Sequence, residues 1–344
     1  MRIAVDAMGG DHVPEYPVNG AILAARELDV EVVLVGDEAV LRSHLTRAGS
    51  PAGIKIVHAE QVIAMDESPA TAMRGKRRSS IHVGARLLRD GEVQGFVSAG
   101  NTGAVMAVVK VIVGSIPGVD RPALAVVLPT ETGRAVVVDA GANIEPKSRQ
   151  LVQFAVMGQH FAREILGVER PRVGLLSIGE EAGKGNELIR TAHGMLSEAP
   201  LDFIGNVEAG DLYGGRADVV VCDGFTGNIL LKASESVVEM LRALLREEFS
   251  RTWGGRIGAV LARGAFRRLR QRVDYEELGG APLLGVRGLA VICHGRSSPR
   301  ALRNGVRVAM EYAAHDVSQR IEEALATLRP VARAPDGDPT DTRA

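Results

Sequence analysis

The sequence predicts an α/β protein, a three-layer αβα sandwich around a mostly parallel, doubly wound sheet. Three observations point there. Short β-branched runs alternate with helix-like stretches, the rhythm of repeated βα units. Several runs, such as VVVD at 136–139 and VVVCD at 219–223, are apolar almost throughout, as strands buried on both faces are. Glycine is abundant at 40 residues while aromatics make up 3%, which suits tight βα turns better than a β-sandwich.

The expected strands are 2–6, 30–35, 54–58, 95–98, 123–128, 135–139, 172–177, 203–207, 219–222 and 289–293. Most end in Gly, Asp, Ser or Asn and run into a helical pattern. Residues 236–278 break the rhythm and read as a long helical pair. Residues 329–344, rich in Pro, Asp and Ala, read as a disordered tail. The expected organisation is one α/β domain over 1–328, with no evident internal repeat.

With 344 residues the chain can bury a substantial core, and 46% hydrophobic against 24% charged is an ordinary globular balance. A net charge of −1 argues against nucleic acid as a partner. Two cysteines, Cys222 and Cys293, make neither a disulfide framework nor a C-x-x-C metal motif, so a reduced compartment is the simplest reading. The first ten residues, MRIAVDAMGG, read as a strand and a turn rather than a signal peptide. No apolar run reaches the ~18 residues that cross a bilayer. A cytoplasmic protein that touches a membrane surface is the expectation. Neither Walker A nor the dinucleotide fingerprint G-x-G-x-x-G is convincingly matched, and no metal or organic cofactor is expected.

Five glycine-rich loops follow expected strands: DAMGGD (6–11), SAGNTGA (98–104), DAGAN (139–143), IGEEAGKGNE (178–187) and DGFTGN (223–228). In a doubly wound sheet, ligands bind at strand carboxyl ends. Glycine admits an anion close to backbone N–H groups, and a helix N-terminus adds free donors. One such loop is by itself most simply a tight turn; five together suggest a shared anion site. Its members are Gly9, Gly10 and Asp11; Ser98, Gly100, Asn101, Thr102 and Gly103; Asn143; Gly185 and Asn186; and Asp223, Gly224, Thr226 and Gly227. Lys184 lies between Gly183 and Gly185, placed for a phosphate or a developing oxyanion, although a solvated surface lysine would read the same. Asp6, Asp11, Asp139 and Asp223 are single aspartates at strand ends, where capping is the commoner role. His294 could donate a proton to a leaving group, while such a histidine is more often structural. Cys222 ends an apolar strand, which favours an inert thiol.

Read in order, AVDAMGGD, VSAGNTGA, RPALA, GLLSIGEEAGKGNE, FIGNVE, ADVVVCDGFTGNILLK, GGAPLLGV and HGRSS resemble the bacterial phosphate acyltransferase family from about residue 1 to about 315. The resemblance implies a fold similar to phosphotransacetylases and isocitrate dehydrogenase-like proteins. It implies transfer of a fatty acyl group from acyl carrier protein to inorganic phosphate, with the acyl phosphate passed to a membrane glycerol-3-phosphate acyltransferase. Lys184 would be the cationic clamp, Asn228 and Thr226 side-chain donors, the 98–103 turn a phosphate holder, and Asp6 and Asp11 residues that shape the site. Pro299 after HGRSS and the run IEPKS at 144–148 depart from the usual family pattern beside the motifs.

Residues 242–272 carry nine arginines, among them Arg256, Arg263 and Arg267, against Glu247 and Glu248. Leu245, Phe249, Trp253 and Ile257 step by four, as one helical stripe would. A basic amphipathic hairpin with the single tryptophan near its tip suits an anionic membrane or an acidic carrier protein. Packing on the core or on a second subunit is the plainer alternative. The family resemblance implies a homodimer and peripheral membrane association. Competing functions are a phosphotransacetylase acting on acyl-CoA, an NAD-linked dehydrogenase of the same fold class, and a non-catalytic membrane scaffold.

Overall fold

The computed structural model describes residues 1–273 and 279–328. The tail expected at 329–344 lies outside these residues, as does the end of the segment 236–278. In the amino-terminal part β1 (Arg2–Asp6), α1 (Glu15–Glu27), β2 (Glu31–Gly36), α2 (Glu38–Arg47) and β3 (Ile54–His58) alternate; α3 (Pro69–Gly75), α4 (Ser80–Arg89), β4 (Gly95–Ser98) and α5 (Thr102–Ile112) follow. Next come β5 (Ala123–Pro129), β6 (Arg134–Val138), α6 (Ser148–Leu166), β7 (Val173–Leu176), α7 (Glu187–Glu198), β8 (Phe203–Val207), α8 (Ala209–Gly214) and β9 (Val219–Val221). The long helix α9 (Gly224–Arg251) leads into α10 (Trp253–Leu261) and α11 (Arg263–Val273). The chain then returns as β10 (Ala281–Leu284), β11 (Leu289–Ile292), α12 (Pro299–Ala314) and α13 (Val317–Leu328).

Among the described residues the strands form one sheet in the order β3-β2-β1-β4-β11-β10-β5-β6-β9-β7-β8. Every expected strand is present within a residue or two. The one not foreseen is β10, whose sequence APLL holds Pro282 opposite Val291 in the middle of the sheet. Proline donates no ladder bond, so this run reads poorly as a central strand.

Strand direction changes at the centre. β3, β2, β1, β4 and β11 are mutually parallel, and so are β6, β9, β7 and β8. Between them β10 is antiparallel to both β11 and β5, and β5 forms an antiparallel hairpin with β6. The two halves therefore run in opposite directions. The hairpin turn is local chemistry: Thr130 Oγ1 accepts from the Gly133 N–H at 2.9 Å.

Alternate strand residues feed different cores, as the pleat requires. Ile3 and Val5 belong to one cluster with α1, α6 and α12, whereas Ala4 and Phe96 belong to another with α4 and α5. A third cluster joins Val137, Val220 and Cys222 to Leu230 and Leu231 of α9. Pro299, atypical for the family, stands in the first turn of α12 behind the Ser298 N-cap, where proline's missing N–H costs no helical bond.

Candidate active site

The first half of the sheet ends in a buried carboxyl. Asp6, 1% exposed, accepts from the Ser98 hydroxyl at 2.7 Å and from the Met8 N–H at 3.0 Å. Ser98 in turn accepts from the Gly100 N–H at 3.0 Å. Burial pushes the Asp6 carboxyl above the ordinary carboxylate value, opposed by hydrogen bonds from Ser80, Ser98, Met8 and Gly9. Gly9 is required here, because a Cβ would stand 2.5 Å from Asp6 Oδ2 and 2.6 Å from the Gly100 nitrogen. Gly10 beside it takes a φ of 114°, and the Asp11 N–H donates to the Gly295 carbonyl at 2.8 Å. His294, on that same carboxyl-end loop, is held below the ordinary imidazole value by partial burial and by Lys232 of α9.

The second half repeats this plan around Asp139, which is fully buried. Its Oδ1 accepts from the N–H groups of Leu124, Ala142 and Gly141 at 2.9, 3.0 and 3.2 Å. Its Oδ2 accepts from the Asn143 N–H at 2.6 Å and from Asn143 Nδ2 at 2.9 Å. Burial raises this carboxyl as well, opposed by the hydrogen bonds from Ala142, Leu124 and Asn143. The Gly224 N–H donates to the Asn143 carbonyl at 2.7 Å, and a Cβ on Gly227 would stand 2.0 Å from the Asp139 carbonyl oxygen. SAGNTG at 98–103 and CDGFTG at 222–227 share a Gly-x-Thr-Gly run that leads into a helix beside a buried aspartate. The two halves thus share a short turn beside a buried aspartate, although no repeat stands out in the sequence.

The five loops do not crowd around one point. Those after β1 and β4, with the His294 loop, belong to one half, and those after β6, β7 and β9 belong to the other, because strand direction reverses between them. Two helices tie the halves together. α9 starts at the Asp223 turn and carries Lys232 to His294 and Glu239 to within 4.0 Å of Arg296. α5 starts at the Asn101 turn and borders a groove that reaches Asn143. The groove has a volume of about 210 Å³, with Gly103, Met106, Ala107 and Lys110 on the α5 wall. Pro122, Ala142, Asn143 and Leu283 complete it. Lys110 and Lys232 were not singled out from sequence, since nothing about one lysine in a helical stretch distinguishes it from a solvated one.

Several expected donors are already engaged. Asn101 caps α5 through Oδ1, and its Nδ2 donates to the carbonyls of Met65 and Glu67 at 2.9 and 2.8 Å. It clamps the 64–67 segment and has no amide hydrogen to spare for a phosphate. Asp223 caps α9, accepting from the Thr226 N–H at 2.8 Å and the Thr226 hydroxyl at 2.7 Å, so this hydroxyl is engaged too. Asn186 caps α7 by accepting from the Ile189 N–H at 3.0 Å. Asn143 is buried and spends its amide on Asp139 and on the Pro122 carbonyl. Asn228 remains exposed, with its side chain packed on the Gly141 turn. Thr102 is exposed in the first turn of α5.

Lys184 stands exposed on its loop, with no salt bridge among the described residues. The loop itself is anchored. Arg190 donates to the Gly185 carbonyl at 2.8 Å, Glu180 pairs with Arg216 at 2.8 Å, and the buried Asn206 donates to the Glu181 carbonyl at 2.9 Å. Asn206, from the FIGNVE run, is a supporting residue that sequence reasoning passed over. Gly185 holds a φ of 94° at the loop's exit, a conformation that favours glycine.

The expected helical pair is three helices. Thr252 is extended, ends α9, and caps α10 by accepting from the Gly255 N–H at 3.0 Å. The stripe from Leu245 to Ile257 is thus split. Phe249 turns inward onto Phe266, edge to face at 5.2 Å, while Trp253 is 80% exposed and Ile257 is exposed with it. The Arg256 guanidinium sits 5.7 Å from the centre of the Trp253 ring, and Arg263 and Arg267 are exposed on α11. No helix among the described residues is long and apolar enough to cross a membrane.

This architecture has known counterparts. The chain superposes on a phosphotransacetylase from Streptococcus pyogenes with a TM-score of 0.60 at 18% identity, covering 91% of this chain and 94% of that one. It superposes on a branched-chain phosphotransacylase from Enterococcus faecalis with a TM-score of 0.57 at 14% identity, covering 92% and 99%. Both likenesses are of fold. In sequence, residues 1–320 match the family described as fatty acid synthesis protein. A phosphate acyltransferase from Acidobacterium capsulatum is 51% identical over 326 residues, 94% of this chain and 97% of that relative. One from Heliobacterium modesticaldum is 50% identical over 327 residues, 94% and 98%. The chain thus belongs to the phosphate acyltransferase family and is an acyltransferase.

Proposed function

We propose that this enzyme moves a fatty acyl group from the thioester of acyl carrier protein to inorganic phosphate, releasing acyl phosphate and the free carrier thiol. The observation that carries this reading is the state of the chain's own nucleophiles. Both thiols are buried and held protonated, Cys222 well above the ordinary value and Cys293 at about 12. Ser98 is fully buried and its hydroxyl donates a hydrogen bond to Asp6. An acyl-enzyme has no side chain to form on at these positions, so the attacking atom comes with the substrate.

Hydrogen phosphate is such a nucleophile. Its oxygen adds to the thioester carbonyl, the tetrahedral oxyanion collapses, the C–S bond breaks, and the phosphate proton ends on the departing sulfur. Lys184, unpaired on its anchored loop, and Asn228, beside the Gly141 turn, would hold phosphate and oxyanion. The groups that Asp6 and Asp139 brace are turns, so these aspartates shape the site rather than move protons in it. The acyl phosphate would serve a membrane glycerol-3-phosphate acyltransferase.

The enzyme is then a cytoplasmic homodimer that rests on an anionic membrane, and helices α9 to α11 support this reading. Val237, Met240, Leu241 and Leu244 leave about half of each side chain exposed along α9, a stripe that a second copy would cover. Trp253 and Leu261, at 80% and 82% exposure, with the arginines of α11, suit lipid.

The test is direct. Palmitoyl-carrier protein and phosphate are supplied to the purified enzyme, and acyl phosphate is trapped as its hydroxamate. Phosphate-dependent hydroxamate supports the reading. Turnover of acetyl-CoA with none of the carrier thioester would make this a short-chain phosphotransacetylase instead, and no turnover of either would favour a scaffold.

A further inference from the structure

The groove beside α5 takes its walls from both halves of the site. Its α5 wall follows helical spacing. Gly103, Met106, Ala107 and Lys110 recur at three- and four-residue steps, so they line one face of the helix. The residues between them, Ala104, Val105, Val108 and Val109, face the sheet and are buried. From Gly103 to Lys110 the helix rises about 10 Å. The opposite wall is Ala142, Pro122 and Leu283, and it carries Asn143 at the end nearest the Asp139 turn.

We propose that this groove holds the alkyl chain of the acyl group, and that Met106, Ala107 and Ala142 set how long a chain it accepts. The proposal rests on the acyl-transfer reading and adds the place of the chain. Continuity argues for this occupant. An acyl chain begins at the reacting carbonyl, and the groove begins at Asn143, in the turn that the Asn228 side chain packs against. Chemistry argues for it as well. The lining is glycine, alanine, methionine, proline and leucine, with the Asn143 amide already spent on internal partners, so the walls offer contact area and no unsatisfied polar side chain in the middle. Lys110 is exposed on the last turn of α5, on the Asn143 side of the groove, so its ammonium lies towards the acyl head and the alkyl tail runs past Met106 and Ala107 towards Gly103. Small side chains at 107 and 142 leave the space; a larger one would close it, since a packed wall has little room to yield.

The experiment compares palmitoyl and octanoyl thioesters of the carrier protein, with phosphate, in the wild type, Ala107→Phe and Met106→Ala. The quantity read is the ratio of kcat/KM for palmitoyl to that for octanoyl. Ala107→Phe should lower the ratio by about tenfold or more, the scale on which apolar pockets discriminate chain atoms. Met106→Ala should move it the other way. A fluorescent fatty acid, cis-parinaric acid, supplies a readout independent of turnover, and Ala107→Phe should weaken its binding. An unchanged ratio in both variants, or unchanged parinarate binding by a folded Ala107→Phe, would overturn the groove assignment. Lys184→Ala separates this from the catalytic reading: it should lower kcat/KM for both thioesters by the same roughly 10²–10³-fold while leaving parinarate bound. If the wild type makes no acyl phosphate, the reaction proposed above fails and the parinarate result still decides the groove.

Discussion

The Asn143 side chain donates to Oδ2 of Asp139 at 2.9 Å while its backbone N–H donates to the same oxygen at 2.6 Å. Together with Leu124, Gly141 and Ala142, this makes Asp139 the point on which the turn after β6, the start of β5 and the entry to α9 converge. Removing the carboxyl in Asp139→Ala leaves several buried donors without an acceptor, each costing about 1–3 kcal/mol. The variant should lose at least about 3 kcal/mol of stability, read as the midpoint of urea unfolding. A loss under about 1 kcal/mol would show that water or a shifted turn satisfies those donors.

Lys184 makes the opposite forecast. Its side chain is exposed and its loop is held by backbone carbonyls, so Lys184→Ala should leave the melting temperature unchanged. If its ammonium steadies phosphate and oxyanion, kcat/KM falls by roughly 10²–10³. Near-normal turnover with carrier thioester and phosphate would remove it from the mechanism.

Asp6 predicts a pH dependence. Burial raises its affinity for a proton in the folded chain above the ordinary value of 3.8. Between that value and the folded one, the native state binds more proton than the unfolded state does. This contribution to stability is therefore complete below 3.8 and is lost as pH rises through the folded value. Asparagine has no such proton to lose. The unfolding midpoint of Asp6→Asn relative to wild type should thus climb as pH is raised from the acid range towards neutrality. A difference that stays flat across a pH series would mean that the carboxyl is ionised in both states.

Helices α9 to α11 predict a salt-sensitive membrane contact. Trp253→Ala should reduce flotation with vesicles containing anionic phosphatidylglycerol, and Arg263→Glu with Arg267→Glu should reduce it further at low salt than at high salt. Because Trp253 is 80% exposed and Arg263 and Arg267 are exposed, these variants should fold as the wild type does. Equal flotation of all forms, or none with the wild type, would leave the stripe to a protein partner.

The strands are legible in the sequence, because runs such as VVVD and VVVCD are apolar almost throughout and suit little else, and so is the family, because eight motifs in order leave few alternatives. The sequence also placed Lys184 on a glycine loop and a basic, tryptophan-tipped segment after the last such loop. Tertiary structure alone decided three things. It set the two halves of the sheet running in opposite directions, since β10, with Pro282 in its middle, reads as no strand until its neighbours on both sides pair with it. It decided which polar side chains are free: Asn101 and Thr226 look like ligands in a motif, and only the fold shows their atoms bonded to the 64–67 segment and to Asp223. And it made the groove, whose walls at Ala107, Ala142 and Leu283 lie far apart in the chain and meet only in the fold. Local pattern records what a residue needs around it; which residue supplies that need is settled by packing over long sequence distances.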